Sequence, residues 1–359
     1  VYMYGPSSSN KEAGNIIEGN TVGGFYYYGL YLYYQEDIQV RGNYIENGPN
    51  SASVYGARVY YCDNVEFTKN HLNIHATSTH YGIYAYYNIG SSTKHNLYAN
   101  NFVVLNGSGT GTWYGIYMYN HQYTDFYNNS FHLTGGSTSS GRCIYQSSGS
   151  NIHYKNNILV NTGGGYTFYV NTPTAIISSD YNDLYATGAS LAYWSGTATN
   201  LAMLQSYSGK DSNSVSIDPG FSSASDLHIV TSAVNAKGIP LLPDVVDDID
   251  GELRDTIAPD IGADEFTPLN KDLAAVQFTE PSDGYDAVGA QKDVKLAIRN
   301  QGIDTVWNFT VGYIVPGSSP VTETYTDTLY PGQLDTFAFV SQMVPAPGQF
   351  NMCGFTALV

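Results

Sequence analysis

The sequence predicts an all-β protein, a parallel β-helix followed by a β-sandwich, and three observations carry that expectation. A tyrosine-rich phrase recurs at a nearly constant period, an asparagine recurs in step with it, and the chain is poor in charge and rich in turn formers. Of the 359 residues 42% are hydrophobic but only 13% are charged, about half the usual share. Polarity is carried instead by Gly, Ser, Thr, Asn and Tyr, a mixture that favours strands and turns over helices.

The phrase reads YGLYLYY from Tyr28, YGARVYY from Tyr55, YGIYAYY from Tyr81 and YGIYMYN from Tyr114, with weaker copies CIYQSS from Cys143 and TFYVNT from Thr167. The asparagine landmark stands two places before an apolar residue at Asn20, Asn43, Asn70, Asn100, Asn129, Asn156 and Asn182, at spacings of 23, 27, 30, 29, 27 and 26 residues. Between them lies a third alternating segment, as in Ile38-Gln-Val40, Val65-Glu-Phe67, Phe126-Tyr-Asn and Ile152-His-Tyr. Each unit therefore holds three short strands separated by Gly, Asn and Ser turns, and no segment keeps a helical period. Units of this kind, with loops absorbing a variable length, describe one coil each of a parallel β-helix. About seven coils are expected between residues 15 and 185, spanning on the order of 30 Å.

Stacked coils place equivalent residues in columns about 4.8 Å apart. An Asn column suits this geometry, because Asn tolerates a left-handed corner and its side chain can hydrogen-bond along the stack. Strand alternation then sorts the tyrosine phrase. Leu30, Leu32, Ile83, Ala85, Ile116 and Met118 point inward, and two columns point outward: Tyr31, Arg58, Tyr84, Tyr117, Tyr145, Tyr169, and Tyr33, Tyr60, Tyr86, Tyr119. Thirty of the 34 tyrosines lie in residues 1–207, so the feature belongs to the coils. Aromatic stacking stabilises a parallel sheet without any ligand. The same strip is also an amphipathic platform for sugar rings or another protein. The candidate binding residues are Tyr31, Tyr33, Arg58, Tyr60, Tyr84, Tyr86, Tyr117, Tyr119 and Tyr145.

Net charge is −17 and uneven: residues 1–207 hold 7 Lys/Arg against 10 Asp/Glu, residues 208–359 hold 7 against 21. With no basic stripe, nucleic acid and anionic membrane surfaces are not expected partners. No apolar run approaches the roughly 18 residues of a membrane span. Three cysteines, Cys62, Cys143 and Cys353, are too few and odd in number for a disulfide framework. No signal peptide is visible, and the opening VYMYG matches the middle of the repeated phrase, so the chain reads as a piece of something longer. Asn106-Gly-Ser, Asn128-Asn-Ser and Asn308-Phe-Thr fit the glycosylation sequon.

On these residues the coils resemble the right-handed parallel β-helix proteins of the pectate-lyase-like superfamily, in the form found within large secreted bacterial surface proteins. VDDIDGELRDTIAPDIGADEF, Val246 to Phe266, resembles the tail that closes such β-helices. Asp272 to Val359, with AIRNQGIDTVWNFTVGYIV and LYPGQLDTFAF, is similar to the immunoglobulin-like modules appended to them and stops short of a last strand. Its alternating strands and Pro-Gly turns independently suggest a sandwich. The expected organisation is coils over 1–185, an irregular closing region with an acidic tail over 186–267, a linker at Pro268-Leu-Asn270, and an immunoglobulin-like β-sandwich over 271–359. The resemblance implies an adhesin or an enzyme exported across the outer membrane, hence an extracellular or cell-surface location.

A glycoside hydrolase or lyase would need paired carboxylates or a base on the exposed face, and no such pair is recognisable among the ten carboxylates of the coils. Arg58 is the charged member of the tyrosine columns, with Asp63, His80 and His121 as neighbours in the turns. No catalytic residue is assigned. Asp248-Ile-Asp250-Gly251-Glu252 is similar to part of a calcium loop but lacks the full spacing. The favoured reading is that Arg254 pairs with Asp260 or Glu265 to pin the tail, so no cofactor and no metal ligand is assigned, with calcium as the alternative. His71, His75, His80, His95, His121, His132 and His153 lack metal-ligand spacing and are expected at scattered surface positions. The resulting expectation is a non-catalytic segment of an adhesin or appendage meeting glycans or partner protein chains. A polysaccharide lyase or hydrolase and an architectural homo-oligomer or filament are the alternatives.

Overall fold

The computed structural model describes residues 1–48, 53–75, 77–107, 109–281, 291–315, 317–344 and 351–358. The chain divides into two compact units, Val1–Ile229 with Val234–Phe266, and Val230–Ala233 with Thr267–Val359.

The first unit is a parallel β-solenoid of about seven turns, built as the repeat demands. Its first sheet stacks the tyrosine phrases: Tyr2–Tyr4, Tyr28–Tyr33, Val54–Tyr60, His80–Tyr86, Trp113–Tyr119, Arg142–Gln146, Tyr166–Val170 and Ala192–Trp194, with Thr197–Ala198 antiparallel at the end. The second sheet stacks Ile16–Glu18, Gln39–Arg41, Glu66–Thr68, Asn96–Ala99, His121–Tyr127, Gly149–Lys155 and Ile176–Asp180. The third stacks Thr21–Phe25, Tyr44–Asn47, His71–His75, Phe102–Asn106, Ser130–Leu133, Ile158–Asn161 and Asp183–Ala186. Leu30, Leu32, Ile83, Ala85, Ile116 and Met118 are all buried inside, as alternation requires. A column of rings also runs through the interior from the second sheet, Phe67, Tyr98, Phe126 and Tyr154, with Tyr98 and Phe126 stacked at 4.8 Å and 8°.

One polar column is buried between the second and third sheets. Asn43, Asn70, Asn101, Asn129, Asn157 and Asn182 each accept, through Oδ1, the backbone N–H and the side-chain amide of the Asn one coil before, from Asn20→Asn43 to Asn157→Asn182. Each amide from Asn43 onward also donates to a strand carbonyl, as from Asn129 to Tyr98 at 2.9 Å. The ladder thus satisfies backbone groups that the corner leaves unpaired and that burial would otherwise make costly. Two positions correct the sequence reading: Asn101 and Asn157 carry the ladder, not Asn100 and Asn156. The reason is a division of labour. The left-handed corner falls on the residue before the ladder Asn: Gly19, Gly42, Lys69, Asn100, Asn128, Asn156 and Tyr181, with φ of 51–64°. A single Asn does not both turn the chain and join the ladder.

The glycine of the YG dipeptide has its own cause. A Cβ built on Gly56 would lie 2.6 Å from the carbonyl oxygen of Gly82, and one on Gly82 would lie 2.5 Å from that of Gly115 and 2.6 Å from Val103. The coils approach too closely there for any side chain.

The solenoid closes at its C-terminal end with an α-helix, Leu201–Ser208, capped by the Asn200 side chain on the Met203 amide and by left-handed Gly209. Leu204 seals the core beside Leu191, Trp194 and Ala198. The ladder ends on Asp211 and Ser214, which bond the Asn182 amide groups.

The second unit is sandwich-like, with two antiparallel three-stranded sheets among the described residues. One orders Leu273–Glu280, Lys295–Asn300 and Leu334–Ala338, the other Val321–Tyr325, Phe309–Ile314 and Cys353–Ala357. Leu296, Ile298, Phe309, Val311 and Tyr313 lie in its core. The three cysteines are free thiols, and among the described residues no helix is long and apolar enough to cross a membrane.

Two stability predictions follow from this stacking. Asn129→Ala strips partners from the buried groups above and below it, so urea denaturation should report a loss of about 2–4 kcal/mol, whereas an exposed change such as Asn10→Ala should be near neutral. Gly82→Ala forces backbone apart and should cost about 1–3 kcal/mol, read as a lower midpoint at unchanged slope; an unaltered midpoint would contradict the close approach.

Candidate functional site

The outward side of the first sheet holds every candidate binding residue named from the sequence. Strand register runs Tyr2, Tyr31, Arg58, Tyr84, Tyr117, Tyr145, Tyr169, Tyr193 in one column and Tyr4, Tyr33, Tyr60, Tyr86, Tyr119 in the next. These side chains are half-buried in the middle coils, and Tyr2 and Tyr4 are exposed. Within a column the rings lie face to face: Tyr33–Tyr60 at 4.9 Å, Tyr60–Tyr86 at 4.5 Å, Tyr86–Tyr119 at 4.8 Å and Tyr84–Tyr117 at 5.0 Å, all within 11° of parallel. The spacing of rings is the spacing of strands, so stacking costs the sheet no distortion.

A third column, which sequence reasoning missed, flanks the first: Tyr28, Tyr55, Tyr81, Tyr114, Arg142, Tyr166. Its rings meet the first column edge-on, as Tyr81 on Tyr84 at 5.2 Å and 88°. The signal was in the phrase itself, whose leading Tyr stands three residues before the column-one residue, the offset Arg142 keeps from Tyr145. A fourth set, Tyr34, Tyr61 and Tyr87, sits at the corner with φ of 53–56°, a conformation uncommon for an aromatic residue. Their amides bond the carbonyls of Tyr60, Tyr86 and Tyr119 in the next coil, which holds the turn.

Two guanidinium groups lie among these rings. Arg58 Cζ is 4.6 Å from the Tyr60 ring centre, 5.0 Å from Tyr31 and 5.7 Å from Tyr84. Arg142 Cζ is 4.1 Å from Tyr169 and 4.8 Å from Tyr145. Burial, and then the neighbouring phenols, raises the Tyr81, Tyr84 and Tyr117 hydroxyls above their ordinary range. Burial and the same kind of neighbours push Tyr86 up to about 12. The phenols therefore stay neutral and can both donate and accept.

The structure does not gather the other residues considered beside Arg58. Asp63 pairs with Lys11, and Tyr28 and Tyr31 supply the hydroxyls that Arg58 reaches. His80 and His121 are buried inside the coils, and His132 is buried as well, so surface placement fails for these three. Burial pushes His121 down to about 3, which keeps it a neutral interior group. Among the described residues no carboxylate stands in the eight parallel strands of the first sheet.

Within the first unit, Leu227–Ile229 and Val234–Phe266 run back along the third sheet as a strap. Leu227 and Ala263 cover Phe102 and Val104, and Ile229, Val234 and Ile261 cover Ile158 and Val160. The corner asparagines receive it: Asn100 donates to the Asp247 carbonyl, Asn128 to Gly262 and Asn156 to Ile239. Arg254 bonds Glu265 at 3.0 Å, Asn100 at 2.8 Å and the Gly262 carbonyl at 2.9 Å. Of the two partners expected for Arg254, Glu265 takes the ion pair. The Asp260 carboxylate instead accepts the Ala236 and Phe266 amides. Asp248 accepts three amides, Asp250, Glu252 and Glu265, and shapes the turn that resembled a calcium loop.

His228, a residue the sequence did not single out, ties the strap to itself, with Nδ1 on Asp226 and Nε2 on Asp250 at 2.9 Å. It borders an open cleft of about 180 Å³ with Lys69, His71, Phe102 and Asp250. His228, Asp250 and Asp264 present ligand atoms within 4.8 Å of one another, the group of described residues that could hold a metal ion. Burial lowers the His228 pKa, but the Asp226 hydrogen bond and the surrounding carboxylates outweigh it and hold the imidazolium above its ordinary value. Burial raises Asp264 to about 6 and Asp260 to about 7 against the amides that favour their ionised forms. Comparison with protein-family models, curated proteins and solved structures finds no match to this chain.

A pH prediction follows for the strap. His228, Asp260 and Asp264 all bind protons more tightly folded than unfolded, so their contribution is present below the unfolded values and falls as pH rises. For the two carboxylates the loss runs from about pH 4 to pH 7, and for His228 it begins above about pH 6.5. Amide exchange across 234–266, corrected for intrinsic rate, should therefore be faster at pH 8 than at pH 5 relative to the coils. Equal protection at both values would contradict the assignment.

Proposed function

We propose that this chain is a non-catalytic segment of an extracellular adhesin or cell-surface appendage. In this reading the solenoid is the rigid element and its tyrosine face is the surface that meets a glycan or a partner protein chain. The observation that carries the reading is the continuity of that face: three columns of half-exposed rings over successive coils, without a carboxylate among their strands. Tyrosine and arginine supply large contact area with little conformational entropy to lose, which is why they dominate binding hot spots. Rings held at strand spacing are already ordered before a ligand arrives, and that preorganisation lowers the cost of association. Kinship with the pectate-lyase-like β-helices, immunoglobulin-like character of the sandwich, and secretion belong to the same proposal.

Two other readings have less support. A lyase or hydrolase needs a base or a carboxylate pair at the scissile bond. Arg58 is surrounded by rings, and the nearest sequence-suggested acid, Asp63, is engaged by Lys11. An architectural homo-oligomer or filament would use the same rings at a subunit contact, and particle size in solution separates it from a monomeric binder.

The test replaces Tyr84, Tyr86, Tyr117 and Tyr119 with Ser in the full chain and checks folding by melting and circular dichroism. Glycan-array or pull-down binding should fall at least tenfold. Binding that persists in a folded variant removes the tyrosines from the contact.

A further inference from the structure

We infer that the ligand of the tyrosine face is anionic, a glycan chain bearing sulfate or carboxylate groups that Arg58 and Arg142 engage while its sugar rings lie on the intervening tyrosines. This rests on the reading of the face as a contact surface and adds the chemical class of the ligand. The chain carries −17 overall, yet the eight parallel strands of the first sheet contain two arginines and no Asp or Glu. An arginine in an acidic chain would ordinarily be paired, as Arg41 is with Glu18 and Arg254 with Glu265. Among the described residues, Arg58 and Arg142 pair with no carboxylate. Their contacts among those residues are ring faces and neutral oxygens: Tyr28 and Tyr31 hydroxyls at 3.4 Å for Arg58, the Tyr114 hydroxyl at 3.0 Å and the Ser139 carbonyl at 3.4 Å for Arg142. The Nε atoms of both are buried without a partner.

Ring faces hold each guanidinium in place but leave its charge uncompensated, since a cation–π contact supplies no counter-ion. The planar fork is the geometry that binds sulfate or carboxylate bidentately. Both groups lie along one line. Arg58 stands in the first column, and the Arg142 guanidinium lies over Tyr145 and Tyr169 of that same column. Three coil steps separate the two levels, on the order of 15 Å, and Tyr84 and Tyr117 fill the interval. A cation, two aromatic rungs and a second cation in series fit an extended chain that alternates apolar ring faces with negative groups. A compact anion would reach one arginine and use none of the tyrosines between.

The experiment uses the full chain and three polymers of one backbone: dextran, carboxymethyl dextran and dextran sulfate of matched length. Binding is measured by titration calorimetry at low and high salt with EDTA present, so that no divalent cation bridges the acidic strap. A charged dextran should bind at least tenfold more tightly than dextran, with the advantage lost at high salt. The two charged polymers distinguish carboxylate from sulfate as the preferred group. R58Q and R142Q should each cost about tenfold, the scale of one charge-assisted pair, and R58K and R142K should fall between, keeping the charge without the fork. Equal affinity for all three polymers, lost on the Tyr→Ser changes, overturns the charge assignment and leaves the tyrosine surface standing. Failure of both charged polymers to bind, or charged binding unchanged by the arginine variants, overturns the inference outright.

Discussion

The whole first unit depends on one requirement, that each coil lie in register on the coil before it. Loops between the strands take up differences in coil length but not a slip within a strand, because a shift of one residue would move aliphatic side chains to solvent and rings to the interior. The buried asparagine ladder enforces the register. Each rung uses its side chain to satisfy its neighbour's backbone amide, its neighbour's side chain and a strand carbonyl, as Asn129 does for Asn101, Asn157 and Tyr98. A shifted coil would leave all of these groups buried and unpaired, which is far more costly than the loss of any single contact. The ladder is therefore less a source of attraction than a penalty on every alternative alignment.

Register then gives the surface its character. Once coils are aligned, like stands over like, and a sequence with Tyr at a fixed offset acquires a stack whether or not anything binds it. The rings of Tyr33, Tyr60, Tyr86 and Tyr119 are parallel because the strands beneath them are. That origin explains why the face is continuous and rigid, and also why its tyrosines alone do not specify a ligand. The arginines are different. Nothing in the stacking geometry calls for a cation in place of a ring at Arg58 or Arg142, and the rings around them are a costly place to leave charge without a counter-ion.

The strap follows from a break in the same pattern. On the third sheet Phe102, Val104, Ile158 and Val160 face outward and would lie bare. The chain beyond the coils returns to cover them, and its polar backbone is received by Asn100, Asn128 and Asn156 at the corner. Its acids are concentrated there as structural groups: Asp248 and Asp260 organise amides, Glu265 holds Arg254, and Asp226 and Asp250 hold His228. The acidity of the tail is thus largely an internal bonding system of a loop-rich segment.

What the sequence determined by itself was whatever repeats: the parallel coils, the inward aliphatic set, the outward columns of Tyr31 and Tyr33, and the existence of an asparagine column. Periodicity is local information, and stacking turns it directly into three-dimensional neighbours. The tertiary structure decided what periodicity does not encode. It moved the ladder from Asn100 and Asn156 to Asn101 and Asn157, because two adjacent asparagines look alike in sequence and only backbone conformation separates corner from rung. It buried His80, His121 and His132, and it brought His228 to Asp250 and Asp264 and Arg254 to Asn100, pairs whose approach depends on how a non-repeating segment folds back. It also set Arg142 over Tyr145 and Tyr169, since the reach of a long side chain across its own strand is settled by packing and not by its place in the repeat.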